Sequence, residues 1–426
     1  MESDSMKEQE IRAPGAVREP LLAIDTTGPL CSVCLKTADG RLIRRAGREG
    51  LKHLTSLVPM IAEAVSEAGL APKDLRAAAV SAGPGSFTGI RIGVATIRAL
   101  AQTLDIPVVK VPTLETFAYL AKGRIACPIF DARRAQMYAG AYFMEEDGRI
   151  MTIVPGDAWR PEDFFRALTN AAPPLAVYLR KIGREAEIHF MGDGVSVFSA
   201  QIEDFRAGLT GPPVRIGSEV QDAMAVLEWA LVNGRLTGYE TLEPIYLRKA
   251  EAERKLEEKT AREGLDAKAR AAVKLRVPDA DDEDLFRGDV YGISVIERLS
   301  FGEPWLERSI RDDLLLGYSD YVLAERDGVV LGYAGLHRIV GEGHITNIAV
   351  HPCVRGQGVG TAVLSWLMSR AEEQSIGSFT LEVRAGDDIA GAFYRKMGFE
   401  TDGLRKDYYS KTGGGREDAL IMWRHI

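Results

Sequence analysis

The sequence has few cysteines, no excess of positive charge and no long hydrophobic run. Only four cysteines occur among 426 residues, and 53 Lys and Arg stand against 61 Asp and Glu, a formal charge of −8. No apolar stretch approaches the ~18 residues that a membrane-spanning helix needs. These absences argue against a membrane partner and against an autonomous nucleic-acid-binding protein. The sequence predicts a soluble, cytoplasmic, globular protein.

The four cysteines do not form a metal-binding pattern. Cys31 and Cys34 form a CxxC, but Cys127 and Cys353 are single and distant along the chain. The segment CSVCLK is typical of a strand, on which residues three apart point to opposite faces. That arrangement suits neither a metal nor a redox pair. We therefore expect four small buried side chains and no metal, with thiol chemistry or metal binding as alternatives.

Charge and composition divide the chain. Residues 1–249 hold 29 basic and 30 acidic residues, whereas residues 275–426 hold 17 and 25, so the acidic excess lies in the last third. Between them, residues 250–274 are about half charged, rich in helix formers and poor in large apolar residues. We predict domains at 20–249 and 275–426, joined by a charged helical linker at 250–274.

One acidic segment precedes the first predicted domain, and another lies near the start of the second. Residues 1–19 contain five acids and no apolar block, which argues against a secretory signal or a transit peptide and favours a disordered tail. The tract Asp279–Asp284 favours the N-terminus of a helix, where carboxylates are stabilised by the helix dipole. The alternative is a patch for a basic partner.

The N-terminal domain begins with strand LLAID, the turn Asp25–Gly28 and two further strands, CSVCLKT and RLIRRA. An Asp-Thr-Thr turn at this point is how actin-like and sugar-kinase-like nucleotide folds begin, but an ordinary hairpin has the same residues. A Gly-rich turn, Gly83–Gly89, then connects a strand to a helix. It is a plausible anion site, although it lacks the Gly-Lys-Ser/Thr of a P-loop.

The order of five segments resembles one family. DTT, the helix bearing His53, SAGPGSFTGIRIGVATIRAL, PVVKVPTLETFA and IFDARRAQMYAGAY are similar to TsaB over residues 20–249. The resemblance implies an actin-like (ASKHA) α/β fold without catalysis. It also implies a TsaD-like partner that holds the metal and the active site and binds the first two helices, His53–Ala68 and Gly89–Leu104. Transfer RNA would be contacted only indirectly, through the complex.

Two features of this domain bear on the resemblance. His53 has Leu57 four residues on, which leaves no HxxxH metal pair, so we expect a surface or interface histidine. Apolar residues of the second helix, Ile90, Val94 and Ile97, can serve either a partner helix or the domain's own core. The turn Gly192–Gly194 is where a working actin-like ATPase would contact nucleotide. We do not expect ATP binding here, and an ATPase or kinase is the alternative.

In the C-terminal domain, a strand at Ile345–Val350 leads into the R-x-x-G-x-G sequence Arg355–Gly360, which opens a helix. Glycines at a helix N-terminus expose backbone N–H groups to a pyrophosphate. A dinucleotide fingerprint would look similar, but no βαβ unit with a ribose-binding acid follows. The strand Phe379–Val383 then carries Glu382, and Tyr394 lies on the helix after it.

The segments LEVRA, AFYRKMGF, DYYS and GREDALIM, together with Pro304-Trp305, resemble the GNAT acetyltransferases, and RimI in particular, over nearly all of 275–426. The resemblance implies a mixed α+β fold and acetyl-CoA as cosubstrate. It makes Glu382 the general base and Tyr394 the general acid that amine acetylation requires. Without the resemblance, the residues alone favour a surface carboxylate and a core tyrosine.

The same resemblance assigns the acetyl-CoA contacts. Asp387 stands where the family usually has Asn, and a carboxylate cannot donate the hydrogen bond that the amide would donate to the cosubstrate. His344 and His351 border the site, and we expect both to be structural. The implied cofactor-binding residues are Ile348, Ala349, Val350, Arg355, Gly356, Gln357, Gly358, Val359, Gly360, Thr361 and Asp387.

Together these observations predict a bifunctional fusion that serves translation. The C-terminal domain would acetylate the N-terminal alanine of a ribosomal protein, and the N-terminal domain would be a scaffold for a TsaD-like partner. The alternatives are acetylation of other N-termini, lysines or small amines, and an N-terminal domain that is itself an ATPase or kinase.

Overall fold

In a computed structural model, the chain forms two compact units. One is drawn from Met1–Leu168 and Arg184–Glu253, the other from Thr169–Gly183 and Arg254–Ile426. Most of the predicted linker and most of the predicted tail lie outside the described residues, so the predicted domain bounds stay predictions. The structure describes residues 17–47, 53–184, 186–209, 212–247, 273–326, 328–374, 376–410 and 415–425.

The first unit contains two sheets and the helices that flank them. Its strands are β1 (Leu21–Asp25), β2 (Cys31–Lys36), β3 (Leu42–Gly47), β4 (Ala77–Gly83), β5 (Val108–Pro112), β6 (Ile125–Asp131), β7 (Met137–Met144), β8 (Ile150–Trp159), β9 (Ile188–Met191), β10 (Val214–Ile216) and β11 (Leu236–Thr237). Its helices are α1 (His53–Glu67), α2 (Phe87–Leu104), α3 (Thr113–Leu120), the first part of α4 (Pro161–Lys181), α5 (Ser199–Gly208) and α6 (Ala223–Asn233). From Thr169 on, the residues of α4 are assigned to the second unit.

The two sheets of this unit repeat one topology. The first has the order β11-β5-β4-β1-β2-β3 and the second the order β10-β9-β6-β7-β8. In each, an antiparallel three-strand meander is continued by parallel strands, β1 with β4 and β5 in the first sheet and β6 with β9 and β10 in the second. This duplicated arrangement confirms the predicted actin-like fold.

The cysteine pair shows how the first sheet is packed. Cys31 and Cys34 lie on β2, and each belongs to the core on a different face of the sheet. All four cysteines are buried and free, which confirms the interpretation of the CxxC as two core side chains. The side chains of β2 therefore fill two separate cores and hold helices to both faces.

Helices α1 and α2 pack on one of these cores. Ile90, Val94 and Ile97 are each at most 5% exposed and pack with β1 and β4. The structure therefore decides that these three residues serve the unit's own core and not a partner helix. The side chain of His53 lies outside the described residues, so its predicted role is untested.

The second unit is built on one mixed sheet of order β12-β13-β14-β15-β16-β18-β17. Its strands are β12 (Lys274–Arg276), β13 (Ser319–Arg326), β14 (Val329–Ile339), β15 (Glu342–Val350), β16 (Ser378–Arg384), β17 (Glu400–Ser410) and β18 (Arg416–His425). Its helices are α7 (Glu283–Ser300), α8 (Glu307–Leu314), α9 (Val359–Glu373) and α10 (Asp388–Lys396).

Helices cover both faces of this sheet. Gly332 of β14 leaves room for α9, because a Cβ there would lie 2.8 Å from Val359. The next residue, Tyr333, points to the opposite face and packs in the core with α7. The mixed sheet with helices on both faces confirms the predicted α+β class.

The acidic tract before α7 serves as a helix N-terminus. Asp282 is the N-cap residue, and its carboxylate accepts a hydrogen bond of 3.0 Å from the backbone N–H of Leu285. Such a cap stabilises a helix by about 1 kcal/mol. The alternative, a patch for a basic partner, has no support from these contacts.

Candidate acetyl-transfer site

Strands β15 and β16 separate at the centre of the sheet. They pair in parallel at only three positions in the described chain, from Glu342 with Ser378 to His344 with Thr380. Beyond His344, β15 pairs only with β14, and the register shifts between Gly335 and Leu336. The facing backbone groups of the later residues are thus left available to a ligand, because they have no ladder partner on that side.

The Gly-rich turn after β15 is open in front of α9. Gly356 and Gly358 have φ values of +77° and +86°, and no atom lies within 4 Å of the place where a Cβ would stand on either. The first helical bond runs from the N–H of Ala362 to the carbonyl of Gly358 at 3.0 Å. The four N–H groups of 358–361 therefore lack helical partners and favour an anion, as the predicted pyrophosphate contact requires.

The side chain of Arg355 is used inside the unit. Its guanidinium donates to the carbonyl of Val350 at 3.0 Å and to Oγ of Ser300 at 2.9 Å. These bonds tie the end of β15 to the end of α7 and fix the path of the turn. Arg355 thus positions the predicted cofactor-binding backbone, which the R-x-x-G-x-G pattern alone does not reveal.

Asp387 caps α10. Its carboxylate accepts a 2.9 Å hydrogen bond from the backbone N–H of Ala390. Asn and Asp are equally good N-caps, so the departure from the family's Asn leaves this structural role intact. The contact of residue 387 with acetyl-CoA stays a prediction.

Glu382 and Tyr394 occupy different environments. The side chain of Glu382 on β16 is 32% exposed, and its Oε1 lies 3.2 Å from Nη1 of Arg405. Tyr394 on α10 is buried between the rings of Phe393 and Phe399. Burial raises the pKa of Tyr394 well above its ordinary value, so the phenol keeps its proton, as a general acid must.

Tyr409 links these two residues, and the sequence pattern did not single it out. Its hydroxyl donates to the backbone carbonyl of Glu382 at 3.0 Å. Its proximity also contributes to the raised pKa of Tyr394. The only sequence signal was the Tyr408-Tyr409 pair in DYYS.

A buried acid, Glu297 of α7, lies behind β15 and was also missed. Its carboxylate accepts hydrogen bonds from the backbone N–H of Trp305 at 2.8 Å, from Nδ2 of Asn347 at 3.3 Å and from the Tyr333 hydroxyl. Burial raises the pKa of Glu297. These bonds hold the Pro304-Trp305 segment against the separated part of β15. Nothing in the sequence distinguishes Glu297 from other helical acids.

The two histidines bordering the site have protein partners, as expected. His344 lies 3.1 Å from the carboxylate of Glu342, and Nδ1 of His351 lies 2.8 Å from Sγ of Cys353. Both contacts are local, within two residues along the chain. They are consistent with structural roles.

Comparison with known proteins covers both units. The family model described as TsaD, tRNA N6-adenosine threonylcarbamoyltransferase, matches residues 49–263, about half of the chain. The tRNA threonylcarbamoyladenosine biosynthesis protein TsaB of Bacillus subtilis is 32% identical over 241 residues, covering 55% of this chain and 96% of the relative. The Acetyltransferase (GNAT) family model matches residues 290–399. The [ribosomal protein bS18]-alanine N-acetyltransferase of Escherichia coli K12 is 34% identical over 127 residues, covering 30% of this chain and 84% of the relative.

The chain is a TsaB–RimI fusion: its first part belongs to the TsaB family and its last part to the RimI-type GNAT acetyltransferases. An uncharacterized protein of Mycobacterium leprae is 28% identical over 95% of this chain and 98% of its own length, so the two parts also occur together there. The RimI-like unit is an acetyl-CoA-dependent N-acetyltransferase. The residues present fit acetyl-CoA, because the turn at Gly356 and Gly358 leaves open space beside unpaired N–H groups.

The Gly-rich turn of the TsaB-like unit is closed by its own chain. A Cβ on Gly89 would lie 1.9 Å from the carbonyl oxygen of Thr26, and one on Gly85 would lie 2.6 Å from that of Thr27. Oγ of Ser86 also accepts from the N–H of Gly89 at 3.3 Å. The glycines at 85 and 89 are therefore required for backbone packing, and Ser86 already occupies the N–H of Gly89.

Asp25 is enclosed beneath this turn. Its carboxylate accepts from the N–H and the hydroxyl of Thr27, both at 2.8 Å, and from the Ser81 hydroxyl at 2.5 Å. Asp25 is fully buried, and burial raises its pKa from 3.8 to about 6. A carboxylate whose oxygens are taken by its own chain is consistent with a unit that does no catalysis.

The turn Gly192–Gly194, where a working actin-like ATPase would contact nucleotide, is packed in the same way. A Cβ on Gly192 or on Gly194 would lie 2.7 or 2.8 Å from the carbonyl oxygen of Ile129. Both glycines allow the turn to approach β6.

In the described ranges there is no group of three or more His, Cys, Asp or Glu side chains that could hold a metal ion. None of the described helices is long and apolar enough to cross a membrane.

Proposed function

We propose that the RimI-like unit acetylates the α-amine of the N-terminal alanine of a ribosomal protein. Two facts support the substrate: the Escherichia coli relative bears that activity in its name, and the unit's acidic excess suits a basic ribosomal peptide. The single observation that carries the proposal is the combination of a solvent-accessible carboxylate, Glu382, with a buried protonated phenol, Tyr394. A ribosomal substrate places the reaction in the cytoplasm.

Glu382 and Tyr394 divide the proton transfers of the reaction. Glu382 accepts a proton from the amine, directly or through a water molecule. The amine nitrogen forms a bond to the thioester carbonyl carbon, and the bond between that carbon and sulfur breaks. Tyr394 gives its proton to the leaving thiolate, so the products are an N-acetylated peptide and free CoA.

The turn and the separated strand hold the cosubstrate in this proposal. The N–H groups of 358–361 bind the pyrophosphate, and the edge of β15 at Ile348–Val350 that faces away from β14 binds the amide-containing arm. Gly356 and Gln357 line the approach to the turn. Arg355 acts here by fixing the end of β15, and Asp387 by fixing the start of α10.

A panel of acceptors tests the substrate. The full chain is incubated with acetyl-CoA and with peptides that begin with Ala, Ser or Met, a lysine-bearing peptide with a blocked N-terminus, and free amines. We expect the highest kcat/KM for an Ala-starting ribosomal peptide. Preference for the blocked lysine peptide or for free amines would contradict the RimI-like assignment and support the alternative.

We also propose that the TsaB-like unit is a non-catalytic subunit for a TsaD-like protein that modifies tRNA. The name of the Bacillus subtilis relative supports the pathway. Val58 of α1 and Phe87 of α2 are 60% and 56% exposed, so each of the two helices presents an apolar side chain to solvent. With the partner bound, tRNA is contacted mainly by that partner.

Co-purification tests this subunit role. We expect the full chain to capture a TsaD-like protein, and V58E with F87E to weaken capture, because charge at an apolar contact costs binding free energy. ATP hydrolysis by the full chain should stay at background. Turnover that D25N abolishes would contradict the scaffold role and support an ATPase.

A further inference from the structure

Arg405 forms an ion pair with the proposed general base. Its Nη1 lies 3.2 Å from Oε1 of Glu382, and the side chains of Arg405 and Glu382 are 50% and 32% exposed. The Cζ atom of Arg405 also lies 5.0 Å from the ring centroid of Tyr408. The guanidinium is therefore held between a carboxylate and an aromatic face, at the edge of the place where an amine must reach Glu382.

The sheet register explains how the two side chains meet. Glu382 on β16 pairs with Ile421 of β18, while Arg405 on β17 pairs with Ala419 on the other edge of β18. The strands of Glu382 and Arg405 are not neighbours, and the ion pair crosses β18 diagonally. The regular pairing of β17 stops after Arg405, since the register shifts between Arg405 and Tyr409.

The other charged and titratable groups near Glu382 have different partners. Arg384 lies 3.4 Å from Glu417 of β18, and its Cζ lies 4.4 Å from the ring centroid of Tyr409. Tyr409 donates to the carbonyl of Glu382, and Tyr394 on α10 is a buried, protonated phenol. In the part of the chain that the structure describes, Arg405 is the one cation that pairs with the Glu382 carboxylate.

The ion pair is relevant to the protonation state of the substrate amine, which is mostly protonated at neutral pH. An α-amine has a pKa of about 8 in water, so at pH 7 most of it is ammonium, which cannot attack a thioester. A lone carboxylate would stabilise that ammonium. A carboxylate already neutralised by a guanidinium attracts it less and leaves the neutral amine unaffected.

We propose that Arg405 is a positioning residue that neutralises Glu382 and thereby favours the neutral, nucleophilic form of the substrate amine. This proposal rests on the proposed role of Glu382 as general base. Arg405 acts through Glu382, whose charge it offsets, and it takes no proton itself. It also holds the carboxylate in one orientation across β18.

The pH profile of the single-turnover rate tests this proposal. The full chain, loaded with acetyl-CoA, is mixed with an Ala-starting peptide between pH 6 and 10. In R405M we expect the rising limb of the profile to move about one unit toward higher pH, and the rate at pH 7 to fall about tenfold. R405K retains the cation and should keep the limb at the wild-type position.

A matched control and a double variant complete the test. Arg287 pairs with Asp284 near the start of α7 and is 62% exposed, so R287M removes the same charge elsewhere and should leave the profile unchanged. In an E382Q background, R405M should cause no further loss, because Arg405 acts through the carboxylate.

The outcomes separate the two claims. Wild-type turnover in E382Q would overturn the general-base assignment and this proposal with it. If E382Q is impaired but R405M keeps the wild-type pH profile, only the role of Arg405 is overturned. An equal shift of the limb in R405K, or a full further loss in the double variant, would likewise overturn it, because the cation would then not act through Glu382.

Discussion

The two Gly-rich turns of this chain look alike in sequence and differ in what surrounds them. Each follows a strand and opens a helix, and each could receive an anion by its spacing. In the TsaB-like turn, the position of a Cβ on Gly89 is occupied by the backbone of Thr26. In the RimI-like turn, the space in front of Gly356 and Gly358 is empty. Glycine therefore serves close packing in one turn and ligand access in the other.

The largest expected effect concerns the chemistry beside the open turn. E382Q and Y394F should each lower kcat by about 10²- to 10⁴-fold, since each removes a proton-transfer group. Affinity for acetyl-CoA should stay nearly unchanged, because neither side chain belongs to the turn. Steady-state kinetics and direct titration with acetyl-CoA separate the two quantities. Wild-type turnover in both variants would remove the catalytic assignment.

The next prediction concerns the close packing of Gly89 in the turn of the TsaB-like unit. In G89A the new methyl would collide with a backbone oxygen that cannot rotate away, so the free energy of unfolding of the TsaB-like unit should fall by about 3 kcal/mol or more. Urea denaturation of the full chain, with hydrogen exchange of the TsaB-like unit as the probe, measures this loss of stability. G208A is the control, since nothing lies within 4 Å of a Cβ at Gly208. Equal stability of G89A and G208A would show that the turn is not tightly packed.

The enclosed carboxylate beneath the closed turn predicts a pH dependence. Because the folded pKa of Asp25 is raised to about 6 from 3.8, the native state binds more protons than the unfolded state between these values. Its contribution to stability therefore falls as pH rises through that window, by about 3 kcal/mol in total.

D25N isolates this effect, since Asn keeps the size of the side chain and does not ionise. The stability of D25N relative to wild type should rise by about 2 kcal/mol from pH 4 to pH 7, because part of the total change falls below pH 4. Denaturant unfolding of both proteins at several pH values gives the difference. Parallel curves would mean that Asp25 is not enclosed as described.

The smallest expected effect is that of a methyl group added at Gly358, in the open turn of the RimI-like unit. In G358A the methyl meets no protein atom, so only the left-handed backbone opposes it, at about 1 kcal/mol of stability. The same methyl stands where the pyrophosphate is proposed to bind, so the Kd for acetyl-CoA should rise about tenfold. Calorimetric titration checks the affinity. Unchanged binding would place the cosubstrate elsewhere.

Much of the fold could be predicted from local patterns. The strand LLAID, the helix after Gly89 and the strand carrying Glu382 all lie close to their expected positions, because apolar periodicity and turn residues are local signals. The duplicated topology of the TsaB-like unit was not visible, since two sheets can share a strand order without sharing side chains.

The site was only partly predictable, for a physical reason. The open turn, Glu382 and Tyr394 stand out through motifs, but their partners meet them across the sheet. Arg405 reaches Glu382 across β18, and Glu297 meets Asn347 50 residues further along the chain. Periodicity also could not decide whether Ile90 and Val94 face a core or a partner. Such pairings depend on register, which a single sequence does not specify.

In the described chain, only three residue pairs between β15 and β16 join the two halves of the acetyltransferase sheet. A ligand that binds both strands where they separate would stabilise the folded state, because it binds the folded sheet and not the unfolded chain. At a concentration of one hundred times its Kd, such a ligand stabilises the fold by about 2.7 kcal/mol. We therefore expect acetyl-CoA, bound as proposed, to slow proteolysis of this unit as well as to serve as its cosubstrate.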